Sequence, residues 1–121
     1  MSKRILVVED EEDNRRIVRD QLTSVGYEII EALTGEEGVK AAETYLPDLI
    51  LMDIQLPGLD GYEATRRIKE NPALCHIPII AVTSYALSGD DVKAFAAGCD
   101  GYVTKPFSPR ALLAKIREYL P

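Results

Sequence analysis

Glu9, Asp10, Glu11, Glu12 and Asp13 form a run of five acids that starts directly after the apolar stretch Ile5-Leu6-Val7-Val8. Asp53 likewise follows an apolar run, Leu49-Ile50-Leu51-Met52, and Thr83 and Ser84 follow Ile79-Ile80-Ala81-Val82. Thr104, Lys105 and Pro106 close a fourth such segment. Brought to one place, these groups would suit a hard cation and phosphoryl oxygens. Carboxylates crowded in a cleft repel one another unless a cation neutralises them, and all-oxygen ligands without His or Cys select an ion such as Mg²⁺. A carboxylate can also attack phosphorus and become an aspartyl phosphate. An ammonium and a hydroxyl would balance and orient the phosphoryl oxygens. Glu9, Asp10 and Asp53 carry three negative charges, and Lys105 with one Mg²⁺ carries three positive. Asp53 is the expected acceptor because it ends the central apolar run; Thr83 offers the hydroxyl and Lys105 the ammonium.

Such convergence requires elements of a particular kind. Unbroken apolar runs suit strands buried on both faces, as in parallel sheets. Ile5–Val8, Leu49–Met52 and Ile79–Val82 are of that type, whereas the more mixed Tyr27–Ala32 and Gly101–Thr104 are expected as edge strands. Helix-length segments separate them. Val18, Leu22 and Val25 fall at i, i+4 and i+7, with Gly26 as a stop. Thr34 with Glu37 reads as a capping box for a helix carrying Val39 and Ala42. Asp60 with Glu63 opens a third helix, which contains Ile68 and stops before Pro72. Ser88 with Asp91 opens a fourth, containing Val92 and Phe95 and ended by Gly98. Ser108 before Pro109 caps a fifth, with Leu112, Leu113, Ile116 and Leu120. Strict alternation of strand and helix predicts a parallel sheet with helices on both faces. In such sheets ligands bind beyond the carboxyl ends of the strands, where every residue of the opening paragraph lies. Singly, each has an ordinary explanation: acids favour a helix N-terminus and an Asp after a strand starts turns. The specificity lies in their combination.

Length and charge narrow the possibilities. The 121 residues are one domain's worth, and 46% hydrophobic content suffices for a core without metal or disulfide staples. Fourteen Lys and Arg against twenty Asp and Glu give −6. That argues against direct nucleic-acid binding, which rests on cations neutralising phosphates, and against anionic membrane surfaces. No apolar run approaches the ~20 residues of a spanning helix, and none near the start resembles a signal peptide. A cytoplasmic location is expected, with Cys75 and Cys99 as free thiols and His76 as a solvated loop residue.

The whole pattern resembles the receiver (response regulator) domains of bacterial two-component signalling, most of all the single-domain chemotaxis and cell-cycle type. The carriers are Glu9-Asp10, the segment from Asp48 through Asp53 to Pro57-Gly58 with Gly61 after it, Thr83-Ser84 and Lys105-Pro106. The resemblance implies a flavodoxin-like, doubly wound sheet of five parallel strands in the order 2-1-3-4-5 with five helices, residues 1–121 forming one domain. It implies that Asp53 is phosphorylated and that Mg²⁺ is held by Asp53, by Asp10 directly, by Glu9 through water and by the backbone carbonyl of Gln55. Thr83 would hydrogen-bond the phosphoryl group, Lys105 would pair with it, and Tyr102 would be the switch aromatic. The Lys105-Pro106 bond would be cis. The phosphodonor would be a histidine kinase or a histidine phosphotransfer protein. A downstream target would read the surface from the fourth helix through the fifth strand to the fifth helix, with Phe107 nearby. Such a chain catalyses only its own phosphorylation and slow dephosphorylation. Gln55 and Tyr85 flank the path of the hydrolytic water in this family, and the bulk of Tyr85 predicts slow hydrolysis.

Three rival readings fit less well. A flavin or nucleotide binder of similar fold needs a hydroxyl- or Gly-rich phosphate loop after the first strand, where this chain has five acids. A haloacid dehalogenase-type phosphatase wants a second Asp two residues past its nucleophile, and Gln55 stands there. A pure interaction module leaves the acids and Lys105 without a purpose.

Overall fold

Three of the apolar runs form central strands because both faces of each are covered. In the computed structural model, which describes residues 3–56, 58–83, 90–105 and 108–120, strands and helices alternate throughout. The strands are β1 (Arg4–Val8), β2 (Glu28–Ala32), β3 (Leu49–Asp53), β4 (Ile79–Thr83) and β5 (Gly101–Thr104). The helices are α1 (Glu12–Thr23), α2 (Gly35–Tyr45), α3 (Gly61–Glu70), α4 (Asp90–Ala97) and α5 (Pro109–Arg117). All strand pairs are parallel, in the order β2-β1-β3-β4-β5. The mixed segments are the edges, as expected, and β3 and β4 are buried along their whole length.

Alternation along the strands sorts the side chains into two cores. Leu6, Val8, Ile50, Met52 and Ala81 pack against α2, α3 and α4. Ile5, Val7, Leu49, Leu51 and Val82 pack against α1 and α5. Continuing the count by two residues places Glu9 with Val7, Asp53 with Leu51 and Lys105 with Val103. All three site residues therefore leave the sheet on its α1–α5 face.

The helix signals hold in detail at three starts. Thr34 Oγ1 accepts from the Glu37 amide at 3.1 Å, Asp60 Oδ1 from Glu63 at 2.9 Å, and Ser108 Oγ from Ala111 at 3.1 Å. The return arm of the Thr34 box differs from the standard pattern: Glu37 Oε2 accepts from Leu33 N–H at 2.8 Å, one residue upstream. Ser88 lies outside the described residues. Two apolar stripes extend less far than periodicity predicts. Val25 is exposed, because α1 ends at Thr23 and Gly26 turns the chain at φ +98°. Val92 and Phe95 are 65% and 50% exposed; α4 faces the core with Ala94 and Ala97 instead.

Close approach of helix to strand explains one glycine next to the site. A Cβ on Gly61 would overlap the carbonyl oxygen of Asp53 and lie 2.7 Å from Ile54 Cα. The start of α3 thus rests directly on the end of β3. Gly61→Ala should lower stability by about 2–3 kcal/mol, measured by denaturant unfolding, because backbone on both sides must move.

Candidate functional site

The carboxyl ends of β1, β3 and β5 deliver Glu9, Asp53 and Lys105 to one edge of the sheet. Glu9 continues the β1 ladder by one rung, its amide donating to Ala32 O at 3.0 Å. Its side chain is buried, as is that of Asp53, while Asp10 is exposed. Carboxylate oxygens of Glu9, Asp10 and Asp53 lie within 4.8 Å of one another. Lys105 Nζ donates to Glu9 Oε1 at 2.6 Å and to Asp53 Oδ2 at 3.5 Å. Asp53 Oδ1 also accepts from the Gln55 amide at 3.0 Å.

Among the described residues three carboxylates face one ammonium, and the imbalance shifts the protonation of Glu9, Asp53 and Lys105. Burial, with the Glu9 carboxylate beside it, pushes the Asp53 carboxyl up to about 7, outweighing the pull of Lys105. Burial would also raise Glu9, but hydrogen bonds from the Asp53 side chain and Lys105 outweigh it and hold Glu9 below its ordinary value. Burial would lower Lys105, yet its contacts to Glu9 and Asp53 hold it above. At neutral pH Asp53 is therefore only partly ionised, which lessens the surplus negative charge. A closely spaced set of hard oxygen donors with surplus negative charge fits a divalent cation such as Mg²⁺.

Beside Asp53 the site opens into a cleft of about 220 Å³, walled by Val7, Asn14, Ile17, Val18 and Gln21. Thr83, buried at the end of β4, stands next to Lys105 along the edge: the Lys105 amide donates to Thr83 O at 2.6 Å. Tyr102 pairs with Ala81 in register and belongs to the opposite face. There its ring meets Phe95 edge-on, centroids 6.0 Å apart at 83°.

Residues 5–117 match the family model of the response regulator receiver domain. The chain belongs to that family. It is 42% identical over 120 residues to the polar-differentiation response regulator DivK of Brucella ovis, covering 99% of this chain and 98% of that one. Among solved structures, a putative response regulator from Chloroflexus aurantiacus superposes with a TM-score of 0.95 at 30% identity, over 99% and 98% of the two chains. The receiver domain of a sensor histidine kinase from Pseudomonas aeruginosa, with a magnesium ion coordinated in its active-site cleft, gives 0.93 at 38% identity, over 99% and 98%.

In this receiver domain the residues singled out from sequence divide into three groups. Glu9, Asp10, Asp53 and Lys105 are together, with Thr83 adjacent. Tyr102 is across the sheet. Tyr85, Pro106 and Phe107 lie outside the described residues, and so does the expectation of a cis Lys105-Pro106 bond. Cys75 and Cys99 are free thiols, and His76 is exposed in its loop. No helix among the described residues is long and apolar enough to cross a membrane.

Sequence reasoning passed over one residue at the edge of the site. Arg15 Nη1 donates to the carbonyl of Glu9 at 3.0 Å, while its Nε donates to Glu31 Oε1 on β2 at 3.0 Å. It is one of three arginines in the α1 segment, with Arg16 and Arg19, and nothing in its spacing marks it out.

The raised Asp53 carboxyl carries a stability consequence. The folded form holds this proton more tightly than the unfolded chain. The contribution is thus favourable at low pH and is lost as pH rises from the ordinary carboxylate range through about 7. Without divalent metal, Asp53→Asn should stabilise the protein by about 1–2 kcal/mol above pH 7, with the difference vanishing near pH 4. Thermal denaturation in EDTA across that range measures it.

Proposed function

We propose that this receiver domain is a phosphoacceptor switch in which a carboxylate oxygen of Asp53 takes a phosphoryl group from a phosphohistidine. The donor is a partner histidine kinase or histidine phosphotransfer protein. The observation that carries this reading is the buried Asp53 carboxylate between Lys105 and two further acids at the mouth of an open cleft. In the step, the Asp53 oxygen bonds to phosphorus and the phosphorus–nitrogen bond breaks. The imidazole leaves with that electron pair and takes up a proton.

The Asp53 and Asp10 carboxylates, Glu9 through water, and the backbone carbonyl of Gln55 would hold Mg²⁺. Bound there, the ion supplies positive charge to the carboxylates and to the phosphoryl oxygens. Lys105, which leans toward Glu9 in this state, turns its ammonium to the incoming group. Thr83 donates its hydroxyl to the phosphoryl oxygens, and the movement of β4 this requires is felt by Tyr102 on the other face. Tyr102, with α4, β5 and α5, is the surface a downstream protein reads; the exposed Val92 and Phe95 on α4 suit such a contact. Only the state that binds the phosphoryl group better gains population.

The chain acts catalytically only on its own Asp53, with residues 1–121 working as one domain in the cytoplasm, and neither nucleic acid nor membrane is its direct partner. Gln55 and Tyr85 tune the hydrolysis of the aspartyl phosphate.

Incubation with Mg²⁺ and acetyl phosphate, followed by intact-mass measurement, tests the reading. The wild type should gain one phosphoryl group that hydroxylamine removes, and Asp53→Asn should gain none. Absence of an adduct under conditions that label an established receiver domain overturns it. For the hydrolysis step, Tyr85→Ala should shorten the lifetime of the adduct; an unchanged or longer lifetime removes Tyr85 from that role.

A further inference from the structure

Asp10 is the one acid of the site that the surrounding structure does not hold. It is exposed, and among the described residues its carboxylate accepts no hydrogen bond. What places it is the peptide that joins it to Glu9. That peptide is rigid, so fixing its oxygen fixes the orientation from which Asp10 departs. The oxygen lies beyond the last rung of β1, and Arg15 Nη1 donates to it at 3.0 Å. Arg15 is itself anchored. Its Nε donates to Glu31 Oε1 at 3.0 Å, and its side chain is only 13% exposed. Glu31 sits opposite Val7 in the β1–β2 register. The preceding half of the turn is tied as well, since Glu9 N–H donates to Ala32 O on the same strand.

We infer that Arg15 is a positioning residue for the metal site: braced by Glu31, it clamps the Glu9–Asp10 peptide so that the Asp10 carboxylate is presented to Mg²⁺. This rests on the reading of the acid cluster as a Mg²⁺ site given above. The guanidinium suits the task because its planar fork reaches a carbonyl and a carboxylate at once, which an ammonium on one stem does not.

The sign of the effect separates this role from plain electrostatics. Arg15 is a cation beside a cation site, so deleting its charge alone would tighten Mg²⁺ binding. Loss of a clamp weakens it instead. Arg19 provides the internal control. It pairs with the same Glu31 carboxylate, at 3.4 Å, but is more exposed and makes no contact with Glu9.

Calorimetric titration of the whole chain with Mg²⁺ alone, above pH 7, tests the inference. Arg15→Met keeps the apolar stem and should weaken binding about tenfold, the lower end of what removal of outer-shell support costs a metal site. Arg19→Met should bind as the wild type does. Wild-type or tighter affinity in Arg15→Met, or equal weakening in both variants, overturns the inference. If Arg15→Met does not fold, Arg15→Lys takes its place, with weaker binding supporting the clamp and wild-type affinity overturning it. Asp10→Asn separates the two levels. If it binds Mg²⁺ as tightly as the wild type, the metal reading fails; if it loses binding while Arg15→Met retains it, only the clamp fails.

Discussion

Crowding of like charge at one edge of the sheet is the constraint around which the rest is arranged. Two buried carboxylates and a third within 4.8 Å of them face a single ammonium. A cluster of that kind is unfavourable by itself, and the chain keeps it by three means. Lys105 neutralises part of the charge, Asp53 is only partly ionised near neutral pH, and the backbone amide of Gln55 donates to Asp53. None of these completes the balance. The arrangement makes sense as one that a divalent cation and then a phosphoryl group would complete, local stability being given up for function.

The period of the strands does most of the positioning. Glu9, Asp53 and Lys105 share a face because each stands two residues past an apolar residue packed on α1 and α5. A slip of one residue in any of these three strands would send its polar group to the other face. The buried runs of β1 and β3 guard against that, since a slip there also misplaces a core. Gly61 adds a second restraint at the same spot by letting α3 sit on the carbonyl of Asp53.

The central strands and their ends were readable because short apolar runs, bounded by polar residues and alternating with helix-length segments, suit strands buried on both faces, and the polar residue that ends such a run is thereby located at the sheet edge. Helix starts at Thr34, Asp60 and Ser108 were readable because capping is local chemistry. What escaped was decided by packing between distant segments. Val92 and Phe95 have the spacing of a buried stripe, yet Ala94 and Ala97 on α4 lie closer to the sheet, and smaller side chains there let the helix sit lower. Arg15 escaped for a related reason. Its meaning depends on Glu31 being the edge-strand residue beside the β1 turn, a fact of register and not of sequence spacing.

The acid cluster and the Tyr102–Phe95 contact lie on opposite faces, so any coupling between them runs through the sheet. The path is short. Lys105 and Thr83 are joined by a backbone hydrogen bond of 2.6 Å at the ends of neighbouring strands. Two residues before Thr104 on β5 stands Tyr102, in register with Ala81 on β4. A group that draws Thr83 and Lys105 toward Asp53 pulls on the same pair of strands that seats Tyr102 against Phe95. That aromatic contact is worth only about 0.5–1.5 kcal/mol. A change in hydrogen bonding to a charged group, at about 1.5–3 kcal/mol, is large enough to override it. Under the proposed function the two ends are thus matched in energy: the input would be strong and desolvated, the Tyr102–Phe95 contact is weak and half exposed, and one covalent modification would suffice to move the equilibrium.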